Sequence, residues 1–366
     1  MTPTRIPFAS LRPSGEDNAS VANAINRVVS SGWYVLGPEV EAFEAELATA
    51  CGTRHAIGVG NGTDALCLIL RAAGIGPGDE VITSPLSAAY TALAIVMAGA
   101  HPVFADVDAD RLTLDADAAA RAITPRTKAI LPVHLYGQAA DMAGIERVAA
   151  QHHLAIVEDC CQAHLATAGG RPVGTIGIAG ALSFYPTKNL GALGDGGAVI
   201  TNDATLAESV KRLRNGGQTT RFRHESLGIN SRLDELQAAI LRARLPWLRR
   251  WTADRRRLAG VYRAGLGSTM LPEVDAGHVY HLCVVRSASR ERLQRRLADA
   301  GIETLVHYPV PIPAQPAFAA FTGDACPVAA RACNEVLSLP LYPSLPDTAI
   351  TAVVSEIAAA QEITSR

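Results

Sequence analysis

Three lysines are the only amine side chains in this chain of 366 residues that could act as a covalent nucleophile. They are Lys128, Lys188 and Lys211. Lys188 lies in the segment 183–191, SFYPTKNLG, between an apolar run and a glycine-rich stretch. A lysine in a turn is usually solvated, but a tight and partly buried loop desolvates the amine, which lowers its pKa and makes it nucleophilic. Lys188 is therefore the candidate for chemistry that needs an amine.

Two adjacent acidic residues, Glu158 and Asp159, follow the apolar run 155–157. Ligands of open α/β sheets bind outside the carboxyl ends of the strands. A carboxylate buried at that edge needs a cation or a protonated heterocycle as its partner. The simpler alternative is that Asp159 caps a following helix.

A glycine-rich turn at 59–64, VGNGTD, separates a predicted strand from a predicted helix. Such a turn leaves backbone N–H groups free at the helix N-terminus, where the helix dipole favours a phosphate. An ordinary turn capped by Thr63 is the alternative. A second polar turn, at 228–237, places Asn230 and Ser231 before two acidic residues, and the start of a helix is sufficient to explain it.

Together, these four features meet the requirements of pyridoxal 5′-phosphate. That cofactor needs a lysine for a Schiff base, a carboxylate for its pyridine nitrogen, and hydroxyls with helix-end amides for its phosphate. The glycines at 191–197 do not fit a dinucleotide-binding loop, because such a loop leads from a strand into a helix and these lead into another strand. We therefore predict that the chain binds pyridoxal 5′-phosphate through Lys188.

The elements that must position these residues form an α/β pattern. From about residue 55 to 200, short apolar runs alternate with helical patterns, which is typical of a mostly parallel sheet. The strands are apolar almost throughout, which predicts helices on both faces. The predicted strands cover 56–59, 80–83, 102–105, 129–133, 155–157 and 198–200, and the predicted helices between them cover 65–73, 88–98 and 145–152.

The pattern changes after Gly228. Helices are predicted at 232–245, onward to about 266, and at 290–300, with a strand at 278–285 and a proline-rich loop at 339–346. We divide the chain into an N-terminal arm (1–30), a large α/β domain (31–249) and a smaller C-terminal α+β domain (250–366). The first firm helix is predicted at 39–50.

Composition argues against several classes of function. A formal net charge of −2, with no long basic run, predicts that the chain binds neither nucleic acid nor an anionic membrane. The seven cysteines lack the spacing of a disulfide framework or a zinc site, so we expect no metal, and reduced thiols in the cytoplasm. The N-terminal segment has no apolar signal core, and no stretch reaches the roughly 18 to 20 apolar residues of a membrane-spanning helix, so we expect a soluble protein that is not exported.

The motifs resemble, in order and nearly from end to end, those of the DegT/DnrJ/EryC1/StrS sugar aminotransferases, which are fold-type I pyridoxal-phosphate enzymes. The resemblance implies a mostly parallel seven-stranded sheet flanked by helices, and a homodimer whose active sites lie at the subunit interface. The matching segments are 32–41 GWYVLGPEVE, 132–138 PVHLYGQ, 158–160 EDC, 183–189 SFYPTKN, 230–234 NSRLD and 337–341 LSLPL.

The same resemblance implies individual roles. Lys188 binds the cofactor covalently and Asp159 pairs with its protonated pyridine nitrogen, so these two are the predicted catalytic residues. Gln162 lies against the cofactor ring near its 3-hydroxyl. The predicted phosphate-binding residues are Gly62, Thr63, Ser183 and, from the neighbouring subunit, Asn230.

Substrate contacts are predicted from aromatic and polar side chains near the domain junction and in the loop before Asn230. For His164, a buried imidazole with satisfied hydrogen bonds is favoured over a base. Arg221 and His224 lie in a polar loop that could meet a diphosphate, although loop arginines are more often solvated. The candidate substrate-binding residues are Tyr90, His164, Tyr185, Arg221, His224, His307 and Tyr308.

Three positions depart from the family's pattern. Many relatives place an aromatic ring against the cofactor where this chain has Ala88, and alanine there resembles the subgroup that aminates C3 of nucleotide-linked 3-keto-6-deoxyhexoses. Gly216 replaces the usual tyrosine of an Arg-Asn-Tyr-Gly segment, and Pro313 stands where relatives often have a second histidine. The segments of Gly216 and Pro313 are expected to touch the substrate, and neither change alters a predicted cofactor residue.

The predicted activity is transfer of the amino group of L-glutamate to a nucleotide-linked (dTDP-linked) 3-keto-6-deoxyhexose. Lys188 would move the proton between the amino acid and the cofactor. A 4-aminotransferase acting on a nucleotide 4-ketosugar would share every cofactor residue and is the main alternative. A sugar dehydratase of the same fold has histidine in place of the lysine, so Lys188 argues against it. A non-catalytic regulatory relative would need a DNA-binding element or a basic face, and the sequence shows neither.

Overall fold

The computed structural model describes residues 5–12, 16–321 and 323–362. Its helices α1 to α12 are Glu16–Ser31, Pro38–Cys51, Gly62–Ala72, Tyr90–Met97, Ala116–Arg121, Met142–His152, Ala204–Leu213, Glu235–Arg244, Leu248–Leu266, Arg290–Asp299, Pro327–Glu335 and Asp347–Glu362. Its strands β1 to β13 are His55–Val59, Glu80–Thr83, His101–Phe104, Thr127–Leu131, Ala155–Asp159, Thr167–Ala168, Arg171–Pro172, Ala179–Ser183, Gly197–Thr201, Gln218–Thr220, Arg223–His224, Cys283–Arg286 and Val336–Leu339.

A seven-stranded sheet forms the centre, with strand order β1-β9-β8-β5-β4-β2-β3. Strands β8, β5, β4, β2 and β3 pair in parallel, and β9 runs antiparallel to both of its neighbours. The predicted mostly parallel seven-stranded sheet is confirmed. Because only β9 is reversed, β1, β5 and β8 end at the same edge of the sheet, where β9 begins.

Alternate residues of the strands point into two apolar layers, one on each face of the sheet. Ile57 of β1 and Val199 of β9 pack with the inward faces of α3 and α7 on one side of the sheet. Leu182 of β8 and Ile200 of β9 pack with α2 and α8 on the other. Burial on both faces explains why these strands are apolar almost throughout.

The C-terminal part has its own core. Strands β12 and β13 form an antiparallel pair, and α9, α10 and α12 pack around them. This core contains Tyr262 and Cys283, together with Ile6 from the N-terminal segment. These contacts support our proposal that 250–366 is a smaller domain beside a large domain at 31–249. Residues 363–366 lie outside the described part of the chain.

The prediction that 39–50 is the first firm helix is wrong, because α1 precedes it. Ala24 and Val28 of α1 are buried against Ala239 of α8. Arg244 at the end of α8 also forms an ion pair with Asp17, at 3.1 Å. The helix depends on these distant partners, which the local pattern does not contain. Residues 1–4 and 13–15 of the predicted arm lie outside the described residues.

The strand predicted at 278–285 is shorter than expected, because β12 begins at Cys283. Residues 278–282 form a loop whose backbone bonds to a neighbouring turn: Val279 N donates to Gly137 O at 2.9 Å and Leu282 N donates to Tyr136 O at 3.2 Å. Tyr280 has a φ of +46°, which is incompatible with a strand. The loop predicted at 339–346 begins one residue later than expected, because Leu339 is the last residue of β13.

Among the described residues, no helix combines the length and the apolar character needed to cross a membrane.

Candidate functional site

The site forms at the sheet edge where β1, β5 and β8 end. Strand β5 ends at Asp159 and β8 ends at Ser183, while the turn after β1 leads into α3 at Gly62. Parallel strands have their carboxyl ends at the same edge of the sheet, so residues far apart in sequence meet here. The loop 184–191 then carries Lys188 across the same edge.

Asp159 faces the site and Glu158 faces away from it. Asp159 is 5% exposed, and its carboxylate accepts hydrogen bonds from Thr91 Oγ1 at 2.8 Å and Cys161 N at 3.1 Å. A turn rather than a helix follows it, so Asp159 is not a helix cap. Two donors hold the carboxylate at the strand end, where it can pair with a protonated heterocycle.

Glu158 has a different role from its neighbour. Its carboxylate accepts from Gly174 N, Ile176 N and Gly177 N at 2.7–2.8 Å, and it pairs with His134 Nε2 at 3.0 Å. Burial raises the pKa of Glu158, but these bonds outweigh it and hold the pKa below its usual value. Potential ligand atoms of His134, Glu158 and Cys160 lie within 4.8 Å of one another, close enough to hold a metal ion. The four donors already occupy the carboxylate, so we assign Glu158 a structural role.

The N-terminus of α3 forms a small cradle for an anion. The backbone N–H groups of Gly62 and Thr63 have no hydrogen-bond partner within the described residues. Asn61, and not Thr63, caps the helix by accepting from Asp64 N at 2.8 Å, which corrects the sequence interpretation. A Cβ on Gly62 would lie 2.6 Å from Cys161 Sγ and 3.0 Å from Ser183 Cβ. Only glycine fits, and free amides face a serine, as a phosphate requires.

Lys188 differs from the other two lysines in its environment. Lys128 is exposed, and Lys211 pairs with Glu208 at 2.8 Å on the surface. Burial lowers the pKa of Lys188, while the nearby Cys161 and Asp159 raise it. No ion pair to Lys188 is present in the described part of the chain. The amine is therefore desolvated beside a carboxylate, as its role as a nucleophile requires.

Three histidines lie near enough to Lys188 to be influenced by its charge. Burial, and then the charge of Lys188, lower the pKa of His307 to about 4, that of His164 to about 3, and that of His281 well below its usual value. His281 lies close to Asn189, with Nδ1 3.3 Å from Asn189 Oδ1. His307 Nδ1 lies 2.9 Å from Ser338 Oγ. These three imidazoles are therefore neutral at neutral pH.

His164 does not have the satisfied hydrogen bonds expected from sequence. It is 2% exposed and stacks on Phe184, with ring centroids 5.8 Å apart. Neither ring nitrogen has a hydrogen-bond partner of normal geometry in the described structure, although the backbone of Ser183 lies close enough to raise the pKa of the imidazole against the effect of burial. Two unpaired nitrogens in a buried site mark a place where a ligand or water would be bound.

Gln162 and Tyr308 are joined across the site. Gln162 Nε2 donates to the Tyr308 hydroxyl at 3.0 Å, and Gln162 Oε1 accepts from Tyr136 N at 2.8 Å. Burial is the main reason that the pKa of Tyr308 lies above its usual value, and Tyr90 contributes in the same direction. Tyr90 itself is 65% exposed. The structure therefore brings a predicted cofactor residue and two predicted substrate residues together.

Three other predicted site residues lie apart from Lys188 in the single chain, whereas Tyr185 is hydrogen-bonded to its backbone. Arg221 and Asn230 are exposed, and His224 Nδ1 lies 2.7 Å from Gly216 O, on the hairpin of β10 and β11. Tyr185 is half exposed, and its carbonyl accepts from Lys188 N at 2.8 Å. None of the first three contacts Lys188 or Asp159 within the described residues. A site that needs them would take them from a second copy.

The polar turn at 228–237 also differs from its prediction. Neither Asn230 nor Ser231 starts the helix, because α8 begins at Glu235. Ser231 Oγ instead accepts from Gly60 N at 2.9 Å and donates to Asp64 Oδ2 at 2.6 Å. Through these two hydrogen bonds, Ser231 stabilises the glycine-rich turn.

Sequence reasoning missed two polar residues of the site, Thr91 and His281. Thr91 lies one residue after Tyr90 in a predicted helix, and a threonine among apolar helix residues was the available signal. His281 lies within the segment predicted as a strand, and that prediction gave no reason to place its side chain in the site.

These residues together fit pyridoxal 5′-phosphate. The Gly62 cradle offers free amides and a serine for the phosphate. Asp159 offers a fixed carboxylate for a protonated ring nitrogen, and Lys188 offers a desolvated amine for the aldehyde. The unpaired nitrogens of His164 lie beside the same lysine. The donor set thus matches the cofactor group by group.

Comparison with known proteins agrees with this geometry. A model of the DegT/DnrJ/EryC1/StrS aminotransferase family matches residues 16–358. A dTDP-3-amino-3,4,6-trideoxy-alpha-D-glucose transaminase of Streptomyces venezuelae is 48% identical over 351 residues, which cover 93% of this chain and 92% of that protein. A Saccharopolyspora erythraea protein named erythromycin biosynthesis sensory transduction protein EryC1 is 46% identical over 362 residues, or 97% of this chain and 99% of that protein. The crystal structure of S. venezuelae DesV in complex with ketimine intermediate has a TM-score of 0.93 and 46% identity, and the match covers 97% of this chain and 98% of that chain.

Proposed function

The chain belongs to the DegT/DnrJ/EryC1/StrS aminotransferase family, and we propose that it transfers an amino group to carbon 3 of a nucleotide-linked keto sugar, using pyridoxal 5′-phosphate. One observation carries the proposal: the partly buried Lys188 lies at the same edge of the sheet as the fixed carboxylate of Asp159, which influences its charge. An aminotransferase needs both, because the lysine binds the cofactor and the carboxylate keeps the cofactor ring protonated.

The cofactor, when bound, supplies a carbonyl that exchanges amino groups and a ring that accepts electrons. Lys188 holds or releases a proton at Nζ, and burial lowers the pKa at which it does so. Asp159 holds a positive ring nitrogen in place, with its own oxygens positioned by Thr91 and Cys161. The neutral imidazoles near Lys188 do not compete for its proton at neutral pH.

The relatives favour carbon 3 over carbon 4. The name of the S. venezuelae transaminase places the amino group on carbon 3 of a dTDP-linked deoxysugar. Ala88, in place of an aromatic ring, resembles the same subgroup. The 4-aminotransferase is therefore the less favoured assignment, and the substrate is a dTDP-linked 3-keto-6-deoxyhexose.

A regulatory role is also disfavoured, although a relative is named as a sensory transduction protein. A protein that has lost catalysis has no need to keep a partly buried lysine near a carboxylate. This chain retains Lys188 and Asp159, and the Gly62 turn packs against Cys161 and Ser183 at the same edge of the sheet. The site therefore supports an enzyme.

L-Glutamate is the amino donor in this proposal, and the working unit is a homodimer in the cytoplasm. The exposed positions of Arg221, His224 and Asn230 support a dimer, because they reach a substrate only in a neighbouring copy. Exposed apolar side chains of Trp33, Tyr34 and Leu193 support the same conclusion. All seven cysteines are free, as expected for a reducing compartment.

Product analysis tests the proposal. The enzyme is incubated with L-glutamate and a panel of nucleotide-linked 3- and 4-ketosugars, and the products are identified by mass spectrometry and NMR. Amination at carbon 3, lost in Lys188→Ala and kept in the surface variant Lys211→Ala, supports it. Retained turnover in Lys188→Ala contradicts the catalytic assignment, and amination at carbon 4 alone contradicts the position.

A further inference from the structure

The loop that carries Lys188 is anchored to the rest of the protein by the next residue, Asn189. Lys188 N donates to Tyr185 O at 2.8 Å, which closes a turn, but the side chains of Tyr185 and Thr187 are exposed. Asn189 is 4% exposed, and its Nδ2 donates to Val279 O at 3.0 Å. The peptide between Lys188 and Asn189 is therefore held through a buried side chain adjacent to the reactive amine's own residue.

The second anchor of Asn189 is the buried imidazole of His281, whose Nδ1 lies 3.3 Å from Asn189 Oδ1. The amide nitrogen of Asn189 is used by Val279 O, so the amide oxygen faces His281, and an amide oxygen only accepts hydrogen bonds. Burial, and then the charge of Lys188, keep the pKa of His281 well below its usual value, so the ring carries a single N–H. That proton is therefore on Nδ1, which donates to Asn189.

The backbone that presents His281 is itself fixed. Val279 N donates to Gly137 O at 2.9 Å, and Leu282 N donates to Tyr136 O at 3.2 Å. Gly137 has a φ of +97°, and a Cβ at this position would lie 2.8 Å from His281 N. Glycine is required there, because any side chain would separate the two backbones. The imidazole is thus presented from a loop that is hydrogen-bonded on both sides of it.

The same support also positions a residue that is predicted to lie against the cofactor ring. Tyr136 N donates to Gln162 Oε1 at 2.8 Å. The turn at Tyr136 therefore supports Gln162 directly and Lys188 indirectly, through His281 and Asn189. An amine condenses with an aldehyde, with loss of one water, only when the two groups are closely aligned, so a displaced loop weakens the covalent attachment.

We propose that His281 is a positioning residue for Lys188: its Nδ1 hydrogen bond to Asn189 holds the loop so that the lysine amine meets the cofactor aldehyde. The inference rests on the proposed function, because it takes Lys188 to bind pyridoxal 5′-phosphate covalently. His281 touches neither cofactor nor substrate in this role. Loss of its hydrogen bond therefore weakens the covalent attachment and leaves the noncovalent contacts of the cofactor unchanged.

Two forms of the cofactor separate these contributions. Pyridoxal 5′-phosphate condenses with a lysine, whereas pyridoxamine 5′-phosphate has no aldehyde and binds through noncovalent contacts alone. Both are titrated into the apoenzyme and followed by absorbance and fluorescence. We expect His281→Leu to weaken binding of the pyridoxal form about three- to tenfold, as loss of one hydrogen bond does, and to leave affinity for the pyridoxamine form unchanged. A distorted site would lose affinity for both.

The matched control is His278→Leu. His278 lies in the same loop and is as buried as His281, each being 8% exposed. Its Nδ1 accepts from Tyr280 N at 2.9 Å, and no hydrogen bond joins its side chain to the loop of Lys188 within the described residues. This variant should lower the free energy of unfolding, measured with denaturant, and should leave the ratio of the two cofactor affinities unchanged.

A conservative variant tests the hydrogen bond itself. Asparagine places its amide nitrogen close to the position of Nδ1, so His281→Asn should retain the affinity for pyridoxal 5′-phosphate. Glutamine places its amide near Nε2 instead, so His281→Gln should show the loss expected of His281→Leu. The pair of polar variants decides the question if His281→Leu does not fold.

Equal weakening of both cofactor forms in His281→Leu or His281→Gln overturns the inference. A selective loss of the pyridoxal form in His278→Leu or in His281→Asn also overturns it. The proposed function is tested separately, by borohydride reduction of the loaded, unchanged enzyme and mass spectrometry of its peptides. We expect the reduced cofactor on Lys188. Its absence from Lys188 counts against the proposed function, whereas an adduct on Lys188 together with equal affinity losses counts against the role of His281 alone.

Discussion

The hydroxyl of Thr91 donates a hydrogen bond to Oδ2 of Asp159 over 2.8 Å. Thr91 lies in α4, 68 residues before Asp159 at the end of β5. Both side chains are buried, so water does not replace the bond if it is lost. The orientation of the carboxylate predicted to face the cofactor ring thus depends on α4, a helix from a distant part of the chain.

Replacing Thr91 by valine should weaken cofactor binding. The substitution keeps the shape and removes one donor to a buried carboxylate, which we expect to lower affinity for pyridoxal 5′-phosphate about tenfold. Titration of the apoenzyme, followed by absorbance, measures it. Thr113→Val is the matched control, because the Thr113 hydroxyl is buried with no partner in the described structure. An equal loss in both variants would contradict the role given to Thr91.

The adjacent carboxylates Asp159 and Glu158 should respond differently to loss of charge. We expect Asp159→Asn to fold normally and to lose turnover by a factor of about 10²–10³, because the positive ring nitrogen loses its partner. Glu158→Gln should instead lower the free energy of unfolding by about 3 kcal/mol, since its amide cannot accept all of the bonds that the carboxylate accepts. Denaturant unfolding and steady-state kinetics distinguish them. The reverse pattern would show that the two side chains are assigned the wrong way round.

The buried imidazole of His164 should make the apoenzyme sensitive to acid. Burial lowers its pKa from 6.5 to about 3, so between these values the unfolded chain binds a proton that the folded chain does not. The free energy of unfolding therefore falls as pH decreases below 6.5, by up to about 1.4 kcal/mol per pH unit. His164→Gln should reduce this slope, whereas His152→Gln, on the surface, should not reduce it to the same extent. Denaturant titrations at pH 7 and pH 5 measure both, and identical slopes in the two variants would contradict the prediction.

Mixing two impaired variants tests the shared active site. If Asn230 serves the Lys188 of the partner subunit, a dimer of one Lys188→Ala chain and one Asn230→Ala chain contains one intact site. Random reassortment should then restore about a quarter of the activity. Activity is measured before and after the variants are unfolded together and refolded. No recovery, with dimers present by light scattering, would show that Asn230 does not act across the interface.

The sequence alone identifies the residues with strong local signals. Lys188 is distinguished by the rarity of lysine and by its glycine-flanked turn, and Asp159 by the apolar run that precedes it. The strand predicted at 80–83 coincides with β2, because a buried parallel strand is apolar along its whole length. Such features depend on neighbours in the chain, which the sequence displays directly.

Only the tertiary structure decides which polar groups meet. The sequence places Glu158 and Asp159 together, and the alternation of side chains along β5 sends one to the backbone amides near Gly174 and the other to Thr91. The segment containing His281 is apolar enough for a strand, yet its backbone bonds to Tyr136 and Gly137 and places the imidazole beside Asn189. Each outcome depends on partners many residues away, whose positions are determined by the packing of the sheet and its helices.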